Sequence, residues 1–148
     1  MIVRPSATVA AVIERERRFL LVEELDAGIL RFNQPAGHLE QHESLAEACS
    51  REVLEESAWH FQPSDLVGIY RWHSPDNGIT YLRFAFCGRL GGHEPERRLD
   101  EGIVRAVWLS PTEIRDSRAR HRSPLVLQCM EDYLAGKRYP MEILNEHA

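Results

Sequence analysis

Cysteine is scarce and poorly placed for cross-linking. Cys49, Cys87 and Cys129 are odd in number, far apart and without a C-x-x-C pair. That argues against a disulfide framework or a zinc–thiolate site, and for reduced, mostly buried thiols in a cytoplasmic protein. Long apolar runs are also missing. Nothing approaches the roughly 18 residues that a membrane span needs. Met1-Ile2-Val3-Arg4-Pro5-Ser6 begins no signal-peptide pattern. No internal repeat, low-complexity tract or Pro/Gly/Ser-rich linker divides the chain, so residues 1–148 are read as one domain. Net positive charge is lacking as well. The formal charge of −5 gives no general pull toward nucleic acid or anionic lipid, so neither is expected as a partner. A polyphosphate ligand would need a local cluster of cations, or metal ions.

What is present is ordinary for a soluble globule. Hydrophobic residues make up 43% and charged residues 28%. A chain of this size buries roughly two-thirds of its unfolded surface, enough for one sizeable core. Thr8–Ile13 is a β-branched apolar run, Glu14–Arg17 a charged turn and Phe19–Val22 a returning strand, together predicting a hairpin. Phe32–Gly37 contains Pro35 and reads as a strand end or loop. Leu66–Trp72 and Ile79–Leu90 read as strands around a Pro75-Asp76-Asn77-Gly78 turn. Gly91–Pro95 reads as a loop, Ile103–Leu109 as a last strand and Thr112–Ser117 as a short helix. A C-terminal helix begins at Ser123-Pro124 and ends near Gly136. The order of strands and helices predicts an α/β sandwich with a mixed sheet.

Ser44–Glu56 is the strongest helix. It is rich in Ala, Leu, Glu and Arg, with Ser44 and Glu47 spaced as a capping box. Leu45, Cys49 and Val53 mark its core side. Glu55 and Glu56 follow Glu52 by three and four residues, so the three carboxylates share one face and repel one another by a few tenths of a kcal/mol per pair. Such a face is either solvated surface or a ligand set for hard, oxygen-preferring cations such as Mg²⁺ or Mn²⁺. Spacing within the helix does not separate these.

The wider pattern does. Gly37 is followed after five residues by Glu43, then after seven by Arg51-Glu52-Val53, with Glu55-Glu56 two residues on. This resembles the Nudix box, G-x5-E-x7-R-E-U-x-E-E-x-G-U, where U is bulky and apolar. Ala58 departs from it where the family has glycine, and Trp59 fills the last position with an aromatic ring. The likeness extends through Asn33–Glu40, Arg71-Trp72, Ser74-Pro75-Asp76, Leu82-Arg83-Phe84, Arg122–Val126 and Arg138-Tyr139-Pro140, flanks that resemble the NudJ-type branch of the family. It covers about Thr8 to Leu144.

The resemblance implies a Nudix-type α/β/α sandwich and a hydrolase of acid anhydrides. Glu52, Glu55 and Glu56 would hold Mg²⁺ or Mn²⁺, with a backbone carbonyl from around Ala36 or Gly37. Arg51 and Glu43 would orient those carboxylates. Glu52, or Glu101 in the loop before the last strand, would activate water, Glu101 being preferred. Arg31, Arg71, Arg83 and Arg138 are candidates for phosphate contact, and Trp72 or Phe84 for stacking. His38 and His42 have zinc-like spacing but precede the helix, and read as loop groups. The substrate would be a small phosphorylated molecule: nucleoside tri- and diphosphates and the thiamine-precursor pyrimidine pyrophosphate, with phosphate released by a monomer or homodimer. A nucleoside diphosphate-sugar or dinucleotide pyrophosphatase is the alternative enzyme. A non-catalytic binding module is disfavoured, because all three carboxylates are retained. Alanine at position 58 predicts a cost of about 1 kcal/mol or a shifted helix end.

Overall fold

The computed structural model describes residues 4–147, so the Met1-Ile2-Val3 part of the N-terminal stretch lies outside them. In chain order the elements are β1 (Ser6–Ala11), β2 (Glu14–Arg15), β3 (Arg18–Asp26), β4 (Ile29–Asn33), β5 (Ala36–His38), α1 (Leu45–Ser57), β6 (Trp59–His73), β7 (Thr80–His93), β8 (Ile103–Leu109), α2 (Pro111–Asp116), α3 (Leu125–Leu134) and β9 (Tyr139–Pro140), with single 3₁₀ turns before α3 and after β9. The expected mixed sheet has the order β5-β1-β7-β6-β9, with β1 parallel to β7 and the other pairs antiparallel. A second sheet, antiparallel throughout, is centred on β3, which pairs with β2, β4 and β8.

Two apolar clusters hold the layers together. Ala48, Cys49 and Val53 of α1 pack with Val9, Leu20, Leu66 and Phe86. Ile114 of α2 and Leu125, Cys129 and Met130 of α3 pack on the other side with Phe19, Leu21, Val67 and Ala85. Helices therefore lie on both sides of the sheets, the α/β/α arrangement that the family resemblance implied. All three cysteines are buried and free. No helix among the described residues is long and apolar enough to cross a membrane.

Helix α1 forms where the sequence places it. The Ser44 hydroxyl accepts the Glu47 N–H at 3.0 Å, and the Glu47 carboxylate accepts the Ser44 N–H at 2.8 Å. At the other end Ala58 takes the left-handed conformation, φ 64°, and donates its N–H to the Leu54 carbonyl. The helix end stays in place, so the alanine carries the backbone cost.

The predicted hairpin from Thr8–Ile13 to Phe19–Val22 is corrected. β1 instead runs parallel to β7 in the mixed sheet, and the hairpin is confined to residues 13–20, with the Leu20 N–H donating to the Ile13 carbonyl. Val9, Ala10 and Ala11 are fully buried, which suits an interior strand with neighbours on both edges. The turn shrinks to Glu16-Arg17, both at positive φ, which matches the twist of a two-residue hairpin. Gly91-Gly92-His93 belongs to β7 and not to a loop. β6 starts directly after α1, and Trp59 pairs with His93 and stacks on its ring at 4.5 Å. Helix α3 starts one residue later than expected, with Pro124 as its cap residue and the Ser123 hydroxyl accepting the Leu125 N–H.

Candidate active site

A cleft of about 620 Å³ opens between α1, the β4–β5 segment, the β6–β7 turn and the start of α3. Six carboxylates line it, from Glu24, Asp26, Glu40, Glu52, Glu56 and Asp76, against two arginines, Arg83 and Arg122. A phosphate-rich ligand would be repelled from such a cleft unless cations accompanied it.

Of the three carboxylates expected to act together on the helix, two converge with an acid from elsewhere in the chain. Glu52 and Glu55 turn carboxylate oxygens toward each other and toward Asp100, and the three groups offer oxygens within 4.8 Å of one another. These are oxygen donors only, with no thiolate or imidazole, which fits Mg²⁺ or Mn²⁺ better than zinc or copper. Glu56 lies beside this cluster and accepts the Ala36 N–H at 3.0 Å. Burial, with Glu52, Glu24 and Asp100 nearby, pushes its pKa up to about 9 despite that hydrogen bond. Burial also raises the pKa values of Glu52 and Asp100. At each group burial and neighbouring carboxylates outweigh the cations already present, among them Arg51 on Glu52, and a bound metal would offset that excess of negative charge.

Arg51 is the organising cation. Its guanidinium donates to Glu43 at 2.7 and 3.0 Å, to Glu52 and Glu55 at 2.7 Å each, and to the His38 carbonyl at 3.0 Å. Glu40 stands 3.5 Å away. Hydrogen bonds from Arg51 hold Glu43 below the usual carboxylate range, and Glu43 in turn accepts the Glu40 N–H. The expected Arg51–Glu43 pair is thus the centre of a larger network.

Gly37 leaves the space that the Glu52 carboxylate fills. A Cβ there would sit 2.2 Å from the Glu52 carboxyl carbon, so only glycine lets that carboxylate pack on the loop. Trp72 lines the cleft and stacks on Tyr81, with ring centroids 5.9 Å apart. Arg83 reaches the cleft from near the start of β7 and is 6% exposed.

Other expected residues lie apart. Glu101 is exposed in the turn before β8, and its neighbour Asp100 is the one that reaches the carboxylates. The Asp100 N–H, donated to the Glu55 carbonyl at 3.0 Å, fixes that choice. Arg71 is exposed beside Trp72, because consecutive strand residues point to opposite faces. Arg31 donates to the Ala119 carbonyl and lines a neighbouring groove. Arg138 lies over the Tyr133 ring, and Phe84 packs against the α1-side core. His38 lines the cleft and hydrogen-bonds the Ser6 hydroxyl, while His42 is exposed at positive φ. Asp100 and Tyr81 were missed. Tyr81 had a signal, since it lies two residues before Arg83 on one strand face; Asp100 had none beyond its charge.

Comparison with known proteins agrees with this geometry. The family model described as NUDIX domain matches residues 3–129. The chain is 39% identical over 143 residues to "Phosphatase NudJ" of Escherichia coli K12, covering 97% of this chain and 92% of that protein. It is similar to the solved structure of a NUDIX hydrolase from Nitrosomonas europaea, at 56% identity and a TM-score of 0.95, covering 97% of this chain and 98% of that one. A MutT protein structure from Methanosarcina mazei Go1 shares 21% identity with a TM-score of 0.71, over 92% and 97% of the two chains, a likeness of fold alone.

Proposed function

The chain belongs to the Nudix hydrolase family, enzymes that act on acid anhydrides, and within it we propose a divalent-metal-dependent phosphohydrolase. Its substrates are nucleoside tri- and diphosphates and the thiamine-precursor pyrimidine pyrophosphate, and it releases phosphate. The observation that carries this reading is the convergence of Glu52, Glu55 and Asp100 oxygens, with Glu52 and its neighbour Glu56 lining a cleft that also holds an aromatic pair and a buried arginine. The likeness to the E. coli phosphatase over nearly the whole chain supports the release of phosphate.

Glu52, Glu55 and Glu56, with the backbone near Gly37, would hold Mg²⁺ or Mn²⁺, and Asp100 adds a fourth acid to the set. When bound, the ions offset phosphate charge and acidify a water molecule. Arg51 and Glu43 keep the carboxylates aimed while that site fills. Of the two acids considered for proton removal, Glu52 stands in the cluster and Glu101, the preferred one, is exposed outside it, next to Asp100. The stacked Trp72 and Tyr81 offer a heterocycle its platform, and Arg83 meets phosphate. Arg31 and Arg71 lie farther out, where only an extended substrate would reach them. The domain acts as a monomer or homodimer.

The test supplies Mg²⁺ and a panel of di- and triphosphates, quantifies phosphate and pyrophosphate separately, and repeats the assay with Glu56→Gln. The variant should lose activity by about 10³-fold, the rate equivalent of roughly 4 kcal/mol of lost charge stabilisation. Undiminished turnover would remove Glu56 from the mechanism. Two phosphate esters as products would favour the sugar- or dinucleotide-cleaving alternative.

A further inference from the structure

Arg83 lies opposite Thr8 of β1 and Tyr70 of β6, in the interior of the mixed sheet. Its guanidinium donates to the Gln34 side-chain carbonyl and to the Asn33 side-chain carbonyl, each at 2.9 Å. Both amides are anchored in turn. Gln34 donates to the Val126 carbonyl at 2.8 Å, and Asn33 makes a long 3.5 Å contact to Glu24. Among the described residues no carboxylate pairs with Arg83. The neighbouring Cys129 thiol does not neutralise it either, since burial pushes that thiol's pKa up.

This is an unusual condition for a buried cation. Removing a guanidinium from water costs several kcal/mol unless an anion compensates. Two amide oxygens orient the group but leave its charge intact, and they occupy only part of its five-donor fork. Arg122, the other arginine of the cleft, is compensated by Glu24 and Asp26. Asn33 and Gln34 also stand immediately before Pro35-Ala36-Gly37. Ala36 hydrogen-bonds Glu56, and Gly37 packs on Glu52. One five-residue segment therefore sets the position of Arg83 relative to the carboxylate cluster.

We propose that Arg83, cradled by neutral Asn33 and Gln34, is the receptor for the substrate's terminal phosphoryl group and thereby decides which phosphorus is attacked. The inference rests on the phosphohydrolase reading above. With the terminal group on Arg83, water forms a bond to the terminal phosphorus and the bridging P–O bond breaks. The electron pair leaves with the shorter phosphate chain, and the water proton passes to a carboxylate and then to solvent. A nucleoside triphosphate yields its diphosphate and inorganic phosphate. Without this anchor the chain can slide, attack falls on an inner phosphorus, and pyrophosphate appears.

The informative variant is Asn33→Asp. It is nearly isosteric and sets a carboxylate on the guanidinium in place of the substrate, while turning the 3.5 Å contact to Glu24 into an approach of two carboxylates, which is why folding is checked. Arg83→Gln is the second variant, and melting curves check both for folding. Inorganic phosphate is titrated calorimetrically into the Mg²⁺-loaded full chain, and products from a nucleoside triphosphate are quantified separately. Wild type should bind phosphate, Asn33→Asp should weaken it at least tenfold, and the pyrophosphate share of product should rise. Phosphate affinity equal in wild type and Asn33→Asp, no phosphate binding by wild type, or an unchanged product ratio would each overturn the proposal. Failure of the phosphohydrolase reading is separate: wild type would release no phosphate from any di- or triphosphate, whatever the titration shows.

Discussion

Arg51 and Arg83 serve the same cleft under opposite conditions. Arg51 is partly exposed and ringed by Glu40, Glu43, Glu52 and Glu55. Arg83 is almost fully buried, donates to the neutral amides of Asn33 and Gln34, and pairs with no carboxylate among the described residues. Where carboxylates outnumber the cation, the surplus negative charge suits a metal. Where the cation stands alone, the surplus positive charge suits a phosphate. Charge complementarity in this cleft is thus divided between two ends and is not visible in the net charge of the chain.

One way to break the carboxylate end leaves every charge in place. Gly37→Ala drives a methyl group into the Glu52 carboxylate, and displacement by about 1 Å costs on the order of 100-fold in kcat. Steady-state kinetics at saturating Mg²⁺ measure it; near-normal turnover would show that Glu52 can move without consequence. A smaller effect follows from removing the organising cation. Arg51→Met leaves the carboxylates charged but unaimed, and should raise the Mg²⁺ concentration for half-maximal activity by about tenfold. The same substitution at position 83 should leave that Mg²⁺ requirement near wild type, which is the direct test of the division.

A third difference appears with pH. Burial raises the pKa of Glu56 from 4.5 to about 9 in the metal-free protein. Between those values the folded state holds a proton that the unfolded chain releases, so the contribution of Glu56 to stability is greatest at low pH and declines as pH rises toward 9. Glu43 has the opposite sign: its pKa is lowered by Arg51, and its contribution is lost as pH falls through its folded value. Melting temperatures of metal-free protein should therefore decline from about pH 6 to about pH 9, and saturating Mg²⁺ should flatten the slope. A flat metal-free profile would mean that Glu56 is not held in an uncompensated site.

The smallest effect tests whether the end of α1 matters to either arginine. Ala58→Gly relieves a left-handed alanine, worth about 1 kcal/mol, but gives up a buried methyl, worth about 0.8 kcal/mol. The net change should stay within about 0.5 kcal/mol, with kcat unchanged. A larger change would couple the helix end to the site.

Much of the carboxylate end was legible before the structure. Helix caps, the i, i+3, i+4 face and the box spacing are local, so the sequence displays them directly. The Arg83 end was not, because its meaning lies in neighbours some fifty residues away, Asn33 and Gln34, brought alongside by β1 and β7. The misplaced β1 has the same origin. An apolar run shows that a strand exists, but its partner is chosen by long-range packing. Asp100 and Glu101 show the limit most clearly. They are adjacent acids on a turn, and only a backbone hydrogen bond to Glu55 determines which one meets the helix.

That hydrogen bond from Asp100 to the Glu55 carbonyl also ties the turn before β8 to the last turn of α1. A cation held by Glu52, Glu55 and Asp100 would therefore join two parts of the chain separated by the whole β6–β7 ribbon. Filling the site would act as a removable cross-link between the helix and the second sheet. Ligand occupancy at a hundred times its dissociation constant is worth about 2.7 kcal/mol of stability. Divalent metal would then set the folding stability of this protein as well as its reactivity, and chelation would loosen β8 at the same time as it silenced the site.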